Sequence, residues 1–292
     1  PMKELGKRIR GASAKDAVAA AEALVARGQA HIALRTDVEV LVGAGDTAAR
    51  QYAESQGRTC ADLGIDYVLH ELPPGSGYDD IAGRVLLLNS KDEVSAIMVH
   101  LPLPGEVDPY SIQKLIAPEK DVEGVNPANI GNVVYGRSSL APCTALAVIR
   151  MIEHTGVPLR GKLCVVVGAS DHVGKPIAVL LMRQDATVIS CNKWTPGLEG
   201  LMREADVLVA AAGVPALVTP DKVKPGAILI DVGVNRVAGP DGKMKTVGDA
   251  DFEPVRAGLG ARGFISPVPG GVGPVTVTML LLNVVEAAER GV

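Results

Sequence analysis

The feature that most constrains the fold is a regular alternation of strand and helix signals in the second half of the chain. Residues 162–167, KLCVVV, form a continuous apolar run typical of a strand buried in a parallel sheet. The turn GASDHVGKP and the helical pattern PIAVLLMRQ follow directly. Further strand signals lie at 186–190, 206–213 and 227–234, and each ends in glycine or polar residues. This order predicts a doubly wound, nucleotide-binding α/β domain.

The first half of the chain alternates in the same way. Its predicted elements are a helix at Ser13–Gln29, a strand at Val38–Val42, a helix from Asp46 or Thr47 to Leu63, a strand at Ile65–Leu72, a helix at Tyr78–Leu88, a strand at Ser95–Val99, a short helix at Asp108–Ile116 and a helix at Thr144–His154. Residues 117–132 are predicted to form a long polar turn segment. We therefore expect a domain at 1–145, completed by a helix at 273–292, and a Rossmann-like domain at 146–272.

Composition excludes several classes of protein. Aromatic residues make up 3% of the 292 residues and the net charge is −4, which argues against nucleic-acid binding. No apolar run is long enough to span a bilayer, and the basic N-terminus lacks the apolar segment of a secretory signal. The four cysteines lie far apart without metal-ligand spacing: Cys60, Cys143, Cys164 and Cys191. They predict reduced thiols in a cytoplasmic protein with no metal.

A proline–glycine run at 263–277, GFISPVPGGVGPVTV, precedes a long helical pattern. Its prolines fix backbone angles, and its glycines permit close approaches that a side chain would block. The run predicts a rigid wall on which a flat ligand could lie, although an ordinary loop is the alternative. The residues assigned to the substrate here are Pro269, Gly270, Gly271, Val272 and Gly273.

Gly168 and Gly174 bracket the first turn of the Rossmann-like domain. The strand before the turn and the helix after it favour a dinucleotide site, with the pyrophosphate on the amides of the helix N-terminus, over a purely structural turn. After the second strand, SCNKWTP offers no carboxylate for a ribose, and Lys193 could meet a 2′-phosphate instead or be a solvated lysine. NADP is thus favoured over NAD without excluding it. The residues assigned to the cofactor are Gly168, Ala169, Ser170, Val173, Gly174, Lys193 and Val234.

Several motifs resemble one family over nearly the whole chain: PVPGGVGPVTVTML, DVGVNR, PEKDVEG, LAPCT, HLPLP and VGASDHVGKP. Together they are similar to the bifunctional methylenetetrahydrofolate dehydrogenase/methenyltetrahydrofolate cyclohydrolases. The resemblance implies two α/β domains with a cleft between them and a homodimer. It also implies NAD(P)-dependent oxidation of the one-carbon bridge of a tetrahydrofolate derivative, followed by hydrolysis to 10-formyltetrahydrofolate.

The chain departs from this family at positions that the resemblance marks as catalytic or ligand-binding. The departures are Gln56 for lysine in the Tyr-x-x-x-Lys pattern begun by Tyr52, His100 for glutamine, Glu123 for aspartate, Ala145 for proline and Ala169 for arginine. Cyclohydrolysis needs a proton carrier to activate water and protonate the leaving nitrogen, an effect of ~10²–10⁴ in rate. Gln56 cannot shuttle a proton near neutral pH, whereas hydride transfer mainly requires alignment. We therefore predict a dehydrogenase with weak or no cyclohydrolase activity.

Two of the remaining substrate positions each allow two roles. Glu123 could grip the edge of a pterin through paired hydrogen bonds or be a surface acid, and His100 could replace the proton carrier or simply be a hydrogen-bonding histidine. Val99, Leu101 and Asp121 complete the expected folate site, with Asp121 the structural member of its pair. The rival functions are a fully bifunctional enzyme, a paralogue for another reduced pterin, and a non-catalytic folate-binding protein. The sequence leaves the physiological direction open.

Overall fold

The structure, a computed structural model, describes residues 37–43, 47–137, 140–239 and 242–290. The helix expected at Ser13–Gln29 lies outside these described residues. The chain divides into two compact units. Unit 1 comprises Pro1–Cys143 and Val277–Val292, and unit 2 comprises Thr144–Thr276.

Unit 1 contains a three-stranded parallel sheet with the strand order β2-β1-β3. Between residues 37 and 137 the described strands are β1 (Asp37–Gly43), β2 (Asp66–Leu72) and β3 (Val94–Val99), and the described helices are α1 (Thr47–Asp62), α2 (Tyr78–Asn89), α3 (Pro109–Gln113) and α4 (Pro127–Tyr135). The apolar face of α2 packs on the sheet, where Ile81, Val85 and Ile97 are fully buried. The predicted strands and the two long helices between them are confirmed.

Two predictions in unit 1 are wrong. The segment 117–132 is not a polar turn throughout, because α4 begins within it at Pro127. The Asn126 side chain accepts a hydrogen bond from Ala128 N, and proline follows at the first helical position, so both standard helix-start signals are present. The helix expected at Asp108–Ile116 is also shorter, since α3 ends at Gln113.

Unit 2 contains a five-stranded parallel sheet with the order β10-β7-β6-β4-β5. Its strands are β4 (Leu163–Val167), β5 (Thr187–Cys191), β6 (Val207–Ala210), β7 (Ile228–Asp231) and β10 (Phe264–Ile265), with an antiparallel hairpin of β8 (Asn235–Ala238) and β9 (Met244–Val247). Strands β4, β6 and β7 are almost completely buried, as their continuous apolar sequences predict. The predicted doubly wound sheet is confirmed.

Among the described residues from 143 to 290, five α-helices and a short 3-10 helix at Pro220–Lys222 accompany these strands. The α-helices are α5 (Cys143–His154), α6 (Gly174–Met182), α7 (Leu198–Glu204), α8 (Phe252–Leu259) and α9 (Val272–Arg290). Helix α9 crosses the unit boundary, because its residues up to Thr276 belong to unit 2 and those from Val277 onward belong to unit 1. None of the helices in the described ranges is long and apolar enough to cross a membrane. The described residues also contain no group of three or more His, Cys, Asp or Glu side chains able to hold a metal ion.

Candidate active site

Gln56 and His100 form a buried hydrogen-bonded pair in unit 1. Gln56 lies on α1 and His100 directly follows β3, and they are only 4% and 8% exposed. Gln56 Oε1 lies 3.0 Å from His100 Nε2, and the Tyr67 hydroxyl donates to the same oxygen at 3.4 Å. Because a carboxamide oxygen can only accept, the proton of this bond is on His100 Nε2.

The sheet places this pair. His100 N donates to Leu41 O, so the residue after β3 is still held against β1, at the carboxyl end of both strands. Helix α1 follows β1 and brings Gln56 back over that end, while Tyr67 belongs to the neighbouring strand β2. Tyr52 is one turn before Gln56 on α1, although its side chain lies outside what the structure describes.

Burial determines the protonation of the pair. Loss of water around the imidazole lowers the pKa of His100 below its ordinary value, because burial disfavours the charged form. The histidine is therefore neutral at pH 7, and the carboxamide of Gln56 does not titrate. Neither member of the pair carries a proton that it could readily donate at neutral pH.

Glu123 contacts the backbone at the same strand end. Its carboxylate accepts a hydrogen bond from Val99 N at 3.3 Å, and Val99 immediately precedes His100. Burial, and then the nearby charge of Asp121, raise the pKa of Glu123 to about 7. Gln56, His100 and Glu123 are thus brought together around the end of β3. The neighbouring Leu101 is exposed there.

Asp121 is fully buried and supports the surrounding backbone. Its Oδ2 accepts from Asn126 N at 2.7 Å and from Asn129 Nδ2 at 2.8 Å, and a parallel bridge joins Asp121 to Ile97 of β3. Burial raises the pKa of Asp121, although these hydrogen bonds oppose the shift. The residue therefore fixes the loop that carries Glu123.

Helix α9 contributes Asn283 to this part of unit 1. Asn283 Nδ2 donates to Val122 O at 2.8 Å and to Ala141 O at 2.9 Å, and it lies 3.4 Å from Cys143 Sγ. The Cys143 thiol donates to Val122 O, and burial raises its pKa well above the ordinary value, so the thiol is unreactive.

The turn assigned to the cofactor in unit 2 is closely packed. Gly168 has φ +114°, and a Cβ built on Gly174 would lie 1.8 Å from Gly168 O. A side chain at Gly168 would likewise meet Ala211 O, at 2.1 Å, in the loop after β6. This cradle leaves no room for side chains at Gly168 and Gly174, so its residues fit a pyrophosphate held by backbone amides.

The other cofactor residues surround this cradle with different degrees of exposure. Ser170 Oγ accepts from Gly174 N at 3.4 Å, and Val173 is the residue before α6. Ala169 is half-buried, whereas Val234 is 72% exposed. Lys193 is exposed, and its ammonium lies over the ring of Trp194.

Two buried aspartates that the sequence analysis did not identify organise the loops around this cradle. Asp249 accepts hydrogen bonds from Ala212 N, Gly213 N, Val214 N and Asn235 Nδ2, at 2.7 to 3.0 Å. Asp231 accepts from Gly233 N, Asp249 N and Ala250 N. The available signals were that Asp231 ends the apolar strand β7 and that Asp249 follows Gly248 after β9, but the hydrogen-bond partners of Asp249 lie up to 37 residues away.

The proline–glycine run is anchored to β7. Ser266 Oγ accepts from Asp231 N at 2.8 Å, and a Cβ on Gly271 would lie 2.4 Å from Pro267 O. Gly271 is therefore required by the turn itself. Pro269 and Gly270 are exposed, whereas Val272 is buried at the start of α9 and Gly273 is exposed. That a flat ligand lies on this run stays a prediction.

Comparison with known proteins identifies one family over both units. The model of the "Tetrahydrofolate dehydrogenase/cyclohydrolase, catalytic domain" matches residues 3–123, and that of the "Tetrahydrofolate dehydrogenase/cyclohydrolase, NAD(P)-binding domain" matches residues 142–292. The bifunctional protein FolD of Ralstonia pickettii is 42% identical over 286 residues, covering 98% of this chain and 93% of the relative.

Solved structures give a similar result. The bifunctional FolD enzyme of Campylobacter jejuni superposes with a TM-score of 0.85 at 32% identity, covering 100% of this chain and 96% of the other. The Trypanosoma brucei methylenetetrahydrofolate dehydrogenase-cyclohydrolase, complexed with NADP and an inhibitor, gives 0.84 at 33% identity, with 99% and 95% coverage. These likenesses extend over the cradle in unit 2 and the end of β3 in unit 1.

Proposed function

We propose that this chain, which belongs to the tetrahydrofolate dehydrogenase/cyclohydrolase family, retains the dehydrogenase reaction and has weak or no cyclohydrolase activity. It is an NAD(P)-dependent methylenetetrahydrofolate dehydrogenase, which oxidises 5,10-methylenetetrahydrofolate to 5,10-methenyltetrahydrofolate. The observation that carries the proposal is the hydrogen bond between Gln56 Oε1 and His100 Nε2, in the place where the family has a lysine.

We assign the folate to unit 1 and NAD(P) to unit 2. When bound, NAD(P)⁺ accepts the hydride that leaves the methylene carbon with its electron pair. The Gly168–Gly174 cradle holds the pyrophosphate, and Glu123, once ionised, accepts from the aminopyrimidinone edge of the pterin. The nitrogen lone pairs of the folate stabilise the product cation, so this step needs alignment and no proton from a side chain.

Hydrolysis of the methenyl product requires proton transfers in addition to alignment. Water must attack the cationic carbon and lose a proton, and the departing ring nitrogen must then gain one. A lysine at position 56 would provide both a positive charge and a proton carrier. Gln56 provides neither, since its carboxamide does not titrate and its oxygen is occupied by His100 and Tyr67.

His100 is a poor replacement for the missing proton carrier. Its pKa is lowered by burial, so few molecules carry the second proton at pH 7. The proton on Nε2 is directed at Gln56 Oε1, where it cannot reach a leaving nitrogen without breaking that bond. This argues against the fully bifunctional alternative.

The test measures two rates on the same protein: nicotinamide reduction with methylenetetrahydrofolate, and loss of methenyltetrahydrofolate by hydrolysis. We expect the wild type to reduce the cofactor while its hydrolysis remains near the uncatalysed rate. The Gln56→Lys variant should gain hydrolysis, by about 10²-fold or more if the lysine regains its proton-transfer role.

The matched control keeps position 56 neutral. Gln56→Met removes the hydrogen bond to His100 without adding a charge, so it should not gain hydrolysis. Wild-type hydrolysis that turns over as fast as hydride transfer would contradict the proposal. A Gln56→Lys/His100→Gln double variant restores both family residues and tests whether the lysine needs its usual neighbour.

A second candidate, a paralogue for another reduced pterin, is favoured by one observation. Glu123 is one methylene longer than the family aspartate, and its carboxylate lies against Val99 N. A ring gripped by this side chain would be displaced relative to that in its relatives. Calorimetric binding of tetrahydrofolate decides between them, because a protein that fails to bind it cannot carry out the proposed reaction.

We further propose NADP as the preferred cofactor, a homodimer as the assembly and the cytoplasm as the location. Lys193, near the expected 2′-phosphate position, supports NADP, and four free, buried cysteines support a reducing compartment. The homodimer rests on the family resemblance alone. Comparing kcat/KM for the two cofactors, sedimentation and localisation of a tagged chain test these points.

A further inference from the structure

The segment after β5 is a short turn with a defined shape. Asn192 N donates to Thr195 Oγ1 and Trp194 N donates to Asn192 Oδ1, both at 2.9 Å. Between these bonds stand Lys193 and Trp194, the single tryptophan of the sequence. Trp194 is 80% exposed, so a large rigid ring is held at the surface by a turn that restrains its backbone.

This turn lies next to the cofactor cradle. Val167 of β4 pairs with Cys191 of β5, and Gly168 N donates to Cys191 O at 2.9 Å. The residue after Cys191 therefore begins the tryptophan turn directly beside the first glycine of the cradle. In doubly wound sheets the adenosine of a dinucleotide lies over the end of the strand in this position.

The two side chains of the turn are already in contact. The Lys193 ammonium lies 4.9 Å from the centroid of the Trp194 ring, a cation–π distance. By contrast, Lys175 at the start of α6 is paired with the carboxylate of Asp171, one turn before it. The Lys193 ammonium is held only by the face of the Trp194 ring. A phosphate can replace this contact at little cost in free energy, because an ion pair is stronger than an exposed cation–π contact.

We propose that Lys193 and Trp194 together form a clamp for the adenosine 2′-phosphate end of NADP, in which Trp194 stacks on the adenine and Lys193 pairs with the phosphate. Without a ligand the ammonium covers the ring. A 2′-phosphate draws the ammonium away and so frees the ring face for the base. NAD must displace the same ammonium without offering it a phosphate, so the clamp selects for NADP. The proposal rests on the cofactor site of the proposed function and adds the residues that choose between the two cofactors.

The single tryptophan makes the test direct. Adenosine 2′,5′-bisphosphate and adenosine 5′-monophosphate are titrated separately into the full chain, with no folate or nicotinamide present, while tryptophan fluorescence is recorded. We expect both ligands to change the emission in a saturable manner. The bisphosphate should bind about tenfold more tightly, and its advantage should shrink as salt is added.

Two variants separate the roles of the pair, with binding measured by calorimetry. Lys193→Ala should lower the affinity for the bisphosphate by about tenfold. The affinity for the monophosphate should stay the same or rise slightly, because the lysine no longer covers the Trp194 ring. Trp194→Leu should weaken both ligands by a similar factor, from about fivefold to a hundredfold. Lys245→Ala, which removes an exposed lysine from β9, is the control and should change neither.

Several outcomes would overturn the proposal. They are binding without any change in fluorescence, equal loss of both ligands in Lys193→Ala, and equal affinity of the two ligands for the wild type. None of them bears on cyclohydrolysis, because the titrations contain no folate. A chain that reduces NAD with methylenetetrahydrofolate but fails these titrations would keep the proposed function and lose only the clamp.

Discussion

At the scale of single residues, the ionised carboxyl group of Glu123 lowers the stability of the folded protein. Glu123 is half-buried and lies near Asp121, and these surroundings raise its pKa to about 7. In the unfolded chain the same group ionises near its ordinary value of 4.5. Between these two pH values the folded state binds a proton that the unfolded state does not, so Glu123 makes folding less favourable as the pH rises through this window.

Replacing Glu123 with glutamine removes this cost. We expect Glu123→Gln to be more stable than the wild type by up to about 3 kcal/mol at pH 8, with the difference vanishing near pH 4. Urea unfolding at a series of pH values measures it. A variant that differs from the wild type equally at pH 4 and pH 8 would show that the carboxyl is not titrating in this window.

The ionisation of Glu123 should also affect the reaction with the folate. Only the ionised form of Glu123 accepts two hydrogen bonds from a pterin edge, so kcat/KM for the folate should fall as the pH drops below about 7. Asp121 and Cys143 are titratable groups that lie close enough to interact with this carboxyl. Glu123→Gln should be a weak enzyme with a flatter pH profile, whereas Glu123→Asp keeps a titrating group.

At the scale of elements, Asp249 joins three loops of unit 2. Its carboxylate collects three backbone amides from 212–214 and the side chain of Asn235 after β7. Gly233 passes so close that a Cβ there would lie 2.0 Å from Asp249 Oδ1. Asp249 therefore holds the loop after β6, which contacts Gly168, although Asp249 lies 37 residues after Ala212 in the sequence.

We expect Asp249→Asn to loosen that loop, because an amide group would direct donors at donors. The loss should be about 2–3 kcal/mol in the free energy of unfolding, with a rise in KM for the nucleotide and little change in KM for the folate. Asp251→Asn is the matched control, since Asp251 is exposed and makes no side-chain cap to α8. Equal effects of the two substitutions would contradict this role.

Local sequence predicted the elements that carry their own signals. The buried strands β4, β6 and β7 follow from continuous apolar runs, and α1 and α2 follow from the helical patterns between the strand signals. Helix α4 was missed because its surroundings are polar, although Asn126 and Pro127 were sufficient signals. The shape of the site depends on longer contacts: Gln56 and His100 are 44 residues apart, and nothing in one sequence shows that Tyr67 shares their hydrogen bond.

At the scale of the whole molecule, Asn283 ties the end of the chain to its first half. One carboxamide nitrogen donates to carbonyls at Val122 and Ala141, across 161 and 142 residues of sequence. Both acceptors are in unit 1, as is Asn283 itself. Unit 1 is therefore completed by residues that come after the whole of unit 2.

We expect Asn283→Ala to destabilise unit 1 by about 2–3 kcal/mol, because Ala141 O loses its side-chain donor and Val122 O keeps only the weaker bond from the Cys143 thiol. Hydrogen exchange should speed up around Val122 and Ala141 and remain unchanged in 144–276. Thr276→Ala, which removes a hydroxyl bonded to Val272 O one turn back in α9, is the control and should leave those amides protected. Uniformly faster exchange in both units would contradict the assignment.

The path of the chain through the two units determines the order in which they can fold during translation. All of unit 2 lies in the uninterrupted segment Thr144–Thr276, whereas unit 1 also needs the part of α9 from Val277 onward. Since residues emerge in order, the second unit to be translated has its full set of contacts first. The first unit must wait for the amide donor that Asn283 supplies to Val122 O and Ala141 O until the later turns of α9 have left the exit tunnel.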